Sequence, residues 1–128
     1  MDSASQRGSV DCKLVGGAVT RVTLRGEWDA SNATEIVAAV TEAAESGCTA
    51  FALDLREVSF IDSHGLMALL TVQKQAHVSA WDVAFVKPAD THIWNLFELT
   101  ALTTCLAFFD SPTAALIAVA SSTDARPQ

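Results

Sequence analysis

Three adjacent residues, Asp62, Ser63 and His64, carry the side-chain types of a serine hydrolase: an acid, a nucleophile and a base. Catalysis would require the histidine to contact both the serine and the acid. Residues adjacent in a chain cannot take up that arrangement, because their side chains point apart. The glycine-flanked turn that presents a hydrolase serine is also missing, since Ile61 stands in place of its first glycine. The chain is therefore expected not to be an enzyme.

The histidines are the next group that could do chemistry. His64, His77 and His92 lack the short spacings of zinc ligands, so surface or half-buried histidines are the simpler interpretation. The single Gly-Gly pair, Gly16-Gly17, is not followed by the Lys-Ser or Lys-Thr of a phosphate-binding loop. No metal and no cofactor is expected.

Ser63 has another role open to it, because it stands where a strand passes into a helix. The run from Ala50 to Leu70 is interpreted as a strand, a short extended piece, a turn from Asp62 to Gly65 and the start of an apolar helix. A helix N-terminus favours anions, and Asp62 or Ser63 can simply cap it. A phosphate on Ser63 would instead add about 1.5 to 2 negative charges beside Asp62, which an acidic or apolar partner surface could not accept.

Length and composition predict one folded unit. The chain has 128 residues, half of them hydrophobic and 18% charged, which suits a single domain with an ordinary core. We expect a flexible N-terminus over residues 1–9, a single domain over residues 10–120 and a flexible tail over residues 121–128.

Charge and cysteine content indicate the compartment. The net charge of -7 argues against nucleic acid as a partner. Three cysteines without short spacing fit a reducing cytoplasm better than a disulfide framework. The first ten residues lack the apolar core of a signal peptide, and the longest apolar run, 114–120, is far short of the ~20 residues that span a bilayer. A cytoplasmic protein with no membrane insertion is expected.

The first half of the chain predicts a hairpin and then a helix. Two alternating runs flank Gly16-Gly17, and the stretch from Gly26 to Asp29 is expected to end the second strand. Asn32 and Glu35 have the spacing of a helix capping box. The apolar face of that helix and the glycine expected at its end are Ile36, Ala39, Val40, Ala43 and Gly47.

The second half alternates strand and helix. Residues 51–55 are typical of a central strand covered on both faces, and the helix after Asp62 presents a small apolar face. A strand over 83–86 precedes a helix capped by Asp90 or Thr91, and a last strand over 105–109 precedes a helix from Ser111-Pro112 to about Ala120. The pattern predicts an α/β fold whose mixed sheet is mostly parallel after the hairpin, with about four helices packed against it.

Several motifs together resemble one family. The run Leu53-Asp54-Leu55 followed by residues 58–66, VSFIDSHGL, closely resembles the signature of the STAS domain, and particularly of the bacterial anti-sigma factor antagonists. Residues 26–29, GEWD, are similar to the family's Gly-Glu-hydrophobic-Asp, and residues 98–102, ELTAL, to its Glu-Leu-Thr-Gly-Leu. Residues 109–111 also fit, so the resemblance covers residues 10–120 and implies a STAS fold.

The resemblance implies a phosphorylation-gated anti-anti-sigma factor that acts in transcription regulation and the stress response. In that family the serine after the signature aspartate, here Ser63, is phosphorylated by an anti-sigma factor that is a serine kinase. The unphosphorylated protein binds the anti-sigma factor and frees a sigma factor, and a phosphatase resets the phosphorylated form. The implied partner-binding residues are Asp29, Asp62, Ser63, His64 and Gly65.

Two residues depart from the family pattern, and two other functions remain open. His64 replaces a second small residue, and Ala101 replaces a glycine that provides a left-handed helix cap. The chain could instead be an accessory STAS subunit of a lipid-transport or other multiprotein complex without a phospho-switch. It could also be a sensor that binds a nucleotide or another small anion at the same helix end. Of the cysteines, Cys105 is expected to be packed in a core strand, and Cys12 and Cys48 to be exposed.

Overall fold

The computed structural model describes residues 7–125, with side chains to residue 120. Its elements are β1 Ser9–Gly16, β2 Val19–Trp28, α1 Thr34–Glu45, β3 Ala50–Ile61, α2 Ser63–Ser79, β4 Asp82–Val86, α3 Thr91–Leu99, α4 Leu102–Cys105, β5 Phe108–Phe109 and α5 Pro112–Ala125. About four helices were predicted, and they correspond to α1, α2, α3 and α5, whereas α4 is an additional helix of four residues.

The strands form one sheet in the order β1-β2-β3-β4-β5. β1 and β2 pair antiparallel as a hairpin, and the β2-β3, β3-β4 and β4-β5 pairs are parallel. The predicted α/β fold with a mostly parallel sheet is therefore confirmed. β3 lies in the centre, where strands need apolar side chains on both faces, and its first six residues are all buried.

Each face of the sheet carries its own core. On one face α1 to α4 cover the larger cluster, in which the biggest fully buried side chains are Trp28, Phe51, Phe85 and Phe97. On the other face α5 alone packs on small and β-branched residues of β2, β3 and β4 through Ala115 and Val119. The predicted small face of α2 is buried as expected, at Gly65, Ala68, Leu69, Val72 and Ala76.

Two predictions around the first strands were wrong. The stretch from Gly26 to Asp29 does not end β2, which continues to Trp28. Gly26 adopts a φ of +83°, and the β2-β3 register shifts after it, so the glycine forms an irregularity within the strand. Asn32 does not cap α1, which begins at Thr34 after Ala33 without a side-chain cap.

The end of the chain also differs from the prediction. Residues 105–109 are not one strand, because Cys105 ends α4 and only Phe108–Phe109 pairs with β4. The final helix begins at Pro112 and continues past Ala120 to Ala125. Ser9 already belongs to β1. Residues 1–6 and 126–128 of the predicted flexible ends lie outside the described residues.

The cysteine assignments were partly reversed. Cys12 is exposed as predicted, whereas Cys48 is buried and Cys105 is exposed. The Thr20 hydroxyl donates to Cys48 Sγ at 2.9 Å, and the Cys48 side chain belongs to the larger hydrophobic cluster. The chain after α1 therefore enters the core at Cys48. Cys105 is exposed because its segment is a helical turn on the surface and not a core strand.

Candidate functional site

The candidate site lies where β2 and β3 end side by side. These strands are parallel, so their carboxyl ends meet at the same edge of the sheet, and Trp28 pairs with Ile61 in their last register position. The Asp62 backbone N–H donates to the Trp28 carbonyl oxygen at 3.1 Å. The residues after the two strands, Asp29 and Asp62, are therefore held close together.

Asp62 is the cap of α2. Its backbone is extended, and its Oδ1 accepts the backbone N–H groups of His64 at 2.9 Å and Gly65 at 3.3 Å. An aspartate in this position pairs two of the donors that the first helical turn leaves free, and it also complements the helix dipole. The sequence left Asp62 and Ser63 as alternative caps, and the geometry assigns the cap to Asp62.

Ser63 is the first residue of α2 and is exposed. Among the described residues its hydroxyl has no hydrogen-bond partner, since Asp62 makes the cap contacts. No stabilising contact within the described chain therefore ties this side chain in place. Its Oγ is accessible for covalent modification at the positive end of a helix of 17 residues.

His64 lies next to Ser63 on the outer surface of the helix. Its side chain is 60% exposed, and Nδ1 lies 3.6 Å from Asp62 Oδ1. A neutral imidazole at this place offers an apolar ring to a partner, whereas a protonated imidazole would form an ion pair with Asp62. The residue that departs from the family pattern thus stands on the surface of the candidate site.

Hydrogen bonds within its own turn favour the ionised form of Asp29. The Ser31 hydroxyl donates to Asp29 Oδ1 at 2.6 Å and the Ser31 backbone N–H at 2.9 Å. These hydrogen bonds hold the pKa of Asp29 below its usual value, with smaller help from the charges of Arg7 and His64. The site therefore carries a carboxylate at neutral pH on the β2 side, beside the Asp62 turn.

Asn32 positions this turn, and the sequence analysis gave it a different role. It is buried, its Oδ1 accepts the Asp29 backbone N–H at 2.9 Å, and its Nδ2 donates to the Glu27 carbonyl oxygen at 2.9 Å. The side chain closes the loop from β2 to α1 and does not cap the helix. A buried asparagine three residues after the aspartate is compatible with both roles, so sequence spacing alone could not separate them.

Gly65 lies below the exposed turn. A Cβ at this position would overlap Ile61 Cγ1 and lie 2.9 Å from Ile61 Cδ1 and 3.3 Å from Trp28 Cβ. The first turn of α2 can therefore approach the ends of β2 and β3 only because residue 65 has no side chain. Of the five predicted partner-binding residues, Gly65 is the buried one, and its structural role is to let the first turn of α2 pack closely on Ile61 and Trp28.

A largely apolar groove of about 620 Å³ runs between α1 and α2 and begins at His64. Met67 borders it and is 59% exposed, so the groove continues the exposed surface of Ser63 and His64 along α2. Its remaining lining residues are Ala30, Ala33, Thr34, Val37, Ala38, Thr41, Glu42, Ala68 and Thr71.

Residues 7–125 contain no cluster of three or more histidine, cysteine, aspartate or glutamate side chains that could hold a metal ion. Over the same part of the chain, no helix has the length and apolar character needed to cross a membrane.

Most of the chain matches the model of one protein family. Residues 15–118 match the family model described as Mlab, STAS domain. The chain belongs to the STAS domain family. No curated protein sequence matches it.

Solved structures share this fold at low sequence identity. The anti-sigma factor antagonist SpoIIAA in its unphosphorylated form has a TM-score of 0.66 and 18% identity, over 92% of this chain and 100% of that chain. An anti-sigma factor antagonist from Mycobacterium paratuberculosis has a TM-score of 0.74 and 22% identity, over 89% and 95%. A sulfate transporter family protein from Wolinella succinogenes has a TM-score of 0.73 and 19% identity, over 88% and 93%. At such identities the STAS domain shares its fold with both kinds of protein.

Proposed function

We propose that this STAS domain is an anti-sigma factor antagonist whose binding to an anti-sigma factor is gated by phosphorylation of Ser63. The partner is an anti-sigma factor of the serine-kinase type, and a phosphatase removes the phosphate. The protein acts in the cytoplasm as a regulator of transcription and has no catalytic activity of its own. Its binding surface consists of Asp29, Asp62, Ser63 and His64, with Gly65 beneath them.

The proposal rests mainly on the different roles of Asp62 and Ser63 at the start of α2. Asp62 caps α2 and leaves the exposed Ser63 hydroxyl free, so a kinase can modify Ser63 without removing a structural contact. Modification of a serine that served as the cap would instead change the contacts that hold the helix end. The neighbours of the same fold that are anti-sigma factor antagonists support the same function.

The charges around Ser63 explain how a phosphate would act as a gate. Asp62 and the ionised Asp29 already make this end of the sheet acidic. Phosphorylation adds about 1.5 to 2 negative charges there, partly accommodated by the helix N-terminus. A partner surface that fits the neutral serine would then meet a strongly anionic one, and the complex would dissociate. A protonated His64 would offset part of that charge.

Phosphorylation is tested with purified proteins. The chain is incubated with ATP and each candidate serine-kinase anti-sigma factor, and the product is mapped by mass spectrometry. We expect one phosphate on Ser63, lost in Ser63→Ala and retained in Ser59→Ala, which removes another exposed serine of the same region. Phosphate on a different residue, or none with any kinase, would overturn the proposal.

Gating is tested by calorimetric titration against the anti-sigma factor. Ser63→Ala should bind as tightly as the unmodified protein, and Ser63→Asp and Ser63→Glu should bind at least about tenfold more weakly, a loss of about 1.4 kcal/mol. Equal affinity of all three variants would refute the gate while leaving the binding function intact.

A second candidate function is favoured by one neighbour of the same fold, the sulfate transporter family protein, because that fold then occurs in transport proteins as well. In this alternative the chain is an accessory STAS subunit of a lipid-transport or other multiprotein complex, and the turn at Ser63 is a fixed docking surface. Affinity purification from the native cell separates the two. A permease and an ATPase retained equally by Ser63→Ala and Ser63→Glu would support the alternative, whereas a kinase-type anti-sigma factor retained only by Ser63→Ala would support the gate.

A further inference from the structure

β1 is an exposed edge of the sheet. It pairs with β2 on one side, and on its other side the described residues contain no strand. Its eight residues are exposed except Val10, and its apolar side chains Leu14 and Val15 are 62% and 45% exposed. Proteins usually shorten, cover or charge such an edge, since its unpaired N–H and C=O groups can bind a further strand. β1 is a long strand, and the two charges that it carries, Asp11 and Lys13, are opposite in sign, so they do not repel every possible partner. The opposite edge, β5, has only two residues.

The β1 sequence is complementary to itself when two copies run antiparallel. With Cys12 of one copy opposite Cys12 of the other, Asp11 faces Lys13 twice and Val10 faces Leu14 twice. Opposite charges and apolar pairs placed directly across from each other stabilise an antiparallel ladder. The same pairing keeps Val10, Cys12 and Leu14 of both copies on one face, because alternate residues of a strand share a face.

Charge also selects this register over its neighbours. A dyad moved to Asp11 would place two aspartates opposite each other, and a dyad moved to Lys13 would place two lysines opposite each other. Like charges directly across a ladder are destabilising. The alternation of Asp11 and Lys13 around Cys12 therefore favours this alignment over the two adjacent ones.

Lys13 gives an independent reason for a partner on this edge. Within the hairpin it lies opposite Arg21, which is a pair of like charges. Arg21 forms its ion pair with Asp54, and Lys13 has no ion pair among the residues that the structure describes. An aspartate from outside the chain would supply the missing counter-charge.

We propose that β1 binds a second copy of this chain, antiparallel about a two-fold axis at Cys12, so that two five-stranded sheets join into one of ten strands. The contact uses the β1 edge, and the Ser63 site lies at the ends of β2 and β3, so the dimer is a property additional to the proposed function. The partner is an identical strand because the charge pattern of β1 is its own complement.

A charge swap tests the register. Sedimentation of the full chain should show a concentration-dependent shift from 13.5 kDa to twice that mass. Lys13→Asp should weaken the dimer at least about tenfold, because each aspartate at position 13 then faces Asp11. The double variant Asp11→Lys with Lys13→Asp should dimerise again. Lys13→Asp removes the like-charge pair with Arg21, so the hairpin itself should remain folded, which circular dichroism checks.

A thiol-trapping experiment tests the axis. Directly opposed residues have Cα atoms about 4.5 to 5.5 Å apart, within the range of a disulfide. Diamide would take two electrons and two protons from the two Cys12 thiols and leave a disulfide between the copies. The Cys12 side chain reaches solvent, but partial desolvation beside α1 raises the pKa of its thiol, and the nearby charges of Asp11 and Glu42 raise it further. Trapping is therefore run above the ordinary thiol pKa of about 8.5.

The control for trapping is the other exposed thiol, Cys105. Cys105→Ser should still be trapped as a dimer and Cys12→Ser should not. Equal trapping of the two variants would indicate random collision and overturn the proposed axis. A chain that stays monomeric at millimolar concentration, or a Lys13→Asp variant that dimerises like the unmodified chain, would overturn the dimer contact.

Discussion

Asp62 and Asp90 hold the N-termini of α2 and α3 by the same pair of contacts. Asp62 Oδ1 accepts the backbone N–H groups two and three residues on, at 2.9 and 3.3 Å. Asp90 Oδ1 accepts the equivalent groups of His92 and Ile93, at 2.8 and 3.2 Å. One cap lies in the candidate site and the other outside it, so each provides a reference for the other.

Asp62→Ala should lower the free energy of unfolding by about 1 kcal/mol, because it leaves two N–H groups of α2 without their acceptor. Asp90→Ala should have a similar effect through α3. Ser63→Ala should change the stability little, since the described chain gives its hydroxyl no partner. Urea denaturation measures all three. A loss in Ser63→Ala as large as that in Asp62→Ala would mean that the serine is the cap.

Gly65→Ala should destabilise the protein by about 1 to 3 kcal/mol, the usual range for overpacking a core. The added methyl group would overlap Ile61 Cγ1, which is buried and joined directly to the Ile61 Cβ. Combining Gly65→Ala with Ile61→Ala removes the overlapping atom, so the double variant should lose less than the sum of the two single losses. Strict additivity of the two changes, measured by thermal unfolding, would exclude the contact.

Ala101 adopts the left-handed conformation that the family pattern gives to a glycine, with a φ of +60° before α4. Although the glycine is replaced, the alanine keeps the left-handed backbone. Such a conformation costs an L-residue with a Cβ about 1 to 2 kcal/mol, and glycine loses part of that advantage through its greater unfolded-state entropy.

Ala101→Gly should therefore raise the free energy of unfolding by up to about 1 kcal/mol. The matched control is Ala38→Gly, an exposed alanine inside α1 with ordinary helical surroundings, which should lower it by about 1 kcal/mol. Both changes remove one methyl group, so chemical denaturation that gives them the same sign would contradict the strain at residue 101.

The sequence could predict features that depend on neighbouring residues. Asp90 was one of two predicted caps of α3, and the face of α2 was predicted from its periodicity. These features depend on a few residues that are close together in the chain. The same holds for the turn of the hairpin, where Gly17 has a positive φ.

Features that depend on distant contacts were missed. β2 continues through Gly26 to Trp28 because β3 pairs alongside it, and no local pattern contains that partner. Cys48 is buried because it meets Thr20 of β2, and Asn32 is used by backbone groups of its loop and not by α1. In the candidate site the sequence located Ser63 and Asp62, but only the three-dimensional contacts assigned the cap to Asp62.

Asp54 is a buried carboxylate at the centre of the sheet. Its Oδ2 forms ion pairs with Arg21 and Arg56, both at 3.0 Å, and its Oδ1 accepts the Arg56 backbone N–H. Burial alone would raise the pKa of Asp54, but the hydrogen bonds from Arg56 and Arg21 outweigh it, and the pKa lies below its usual value. The folded state therefore favours the ionised carboxylate.

Asp54→Asn should lower the free energy of unfolding at pH 7 by about 2 kcal/mol. This loss is smaller than that from breaking a fully buried ion pair, because both arginine side chains reach water. A folded pKa below the unfolded value of about 3.9 means that this contribution is complete above that pH and is lost as pH falls through the lower folded pKa. The difference between the two proteins should thus shrink in acid. The control is Asp110→Asn. The Asp110 carboxylate forms an ion pair with Lys87 but is 89% exposed, so this change should lower the free energy of unfolding by at most about 0.5 kcal/mol. A pH-independent difference in guanidinium denaturation would contradict the assignment of the charge to Asp54.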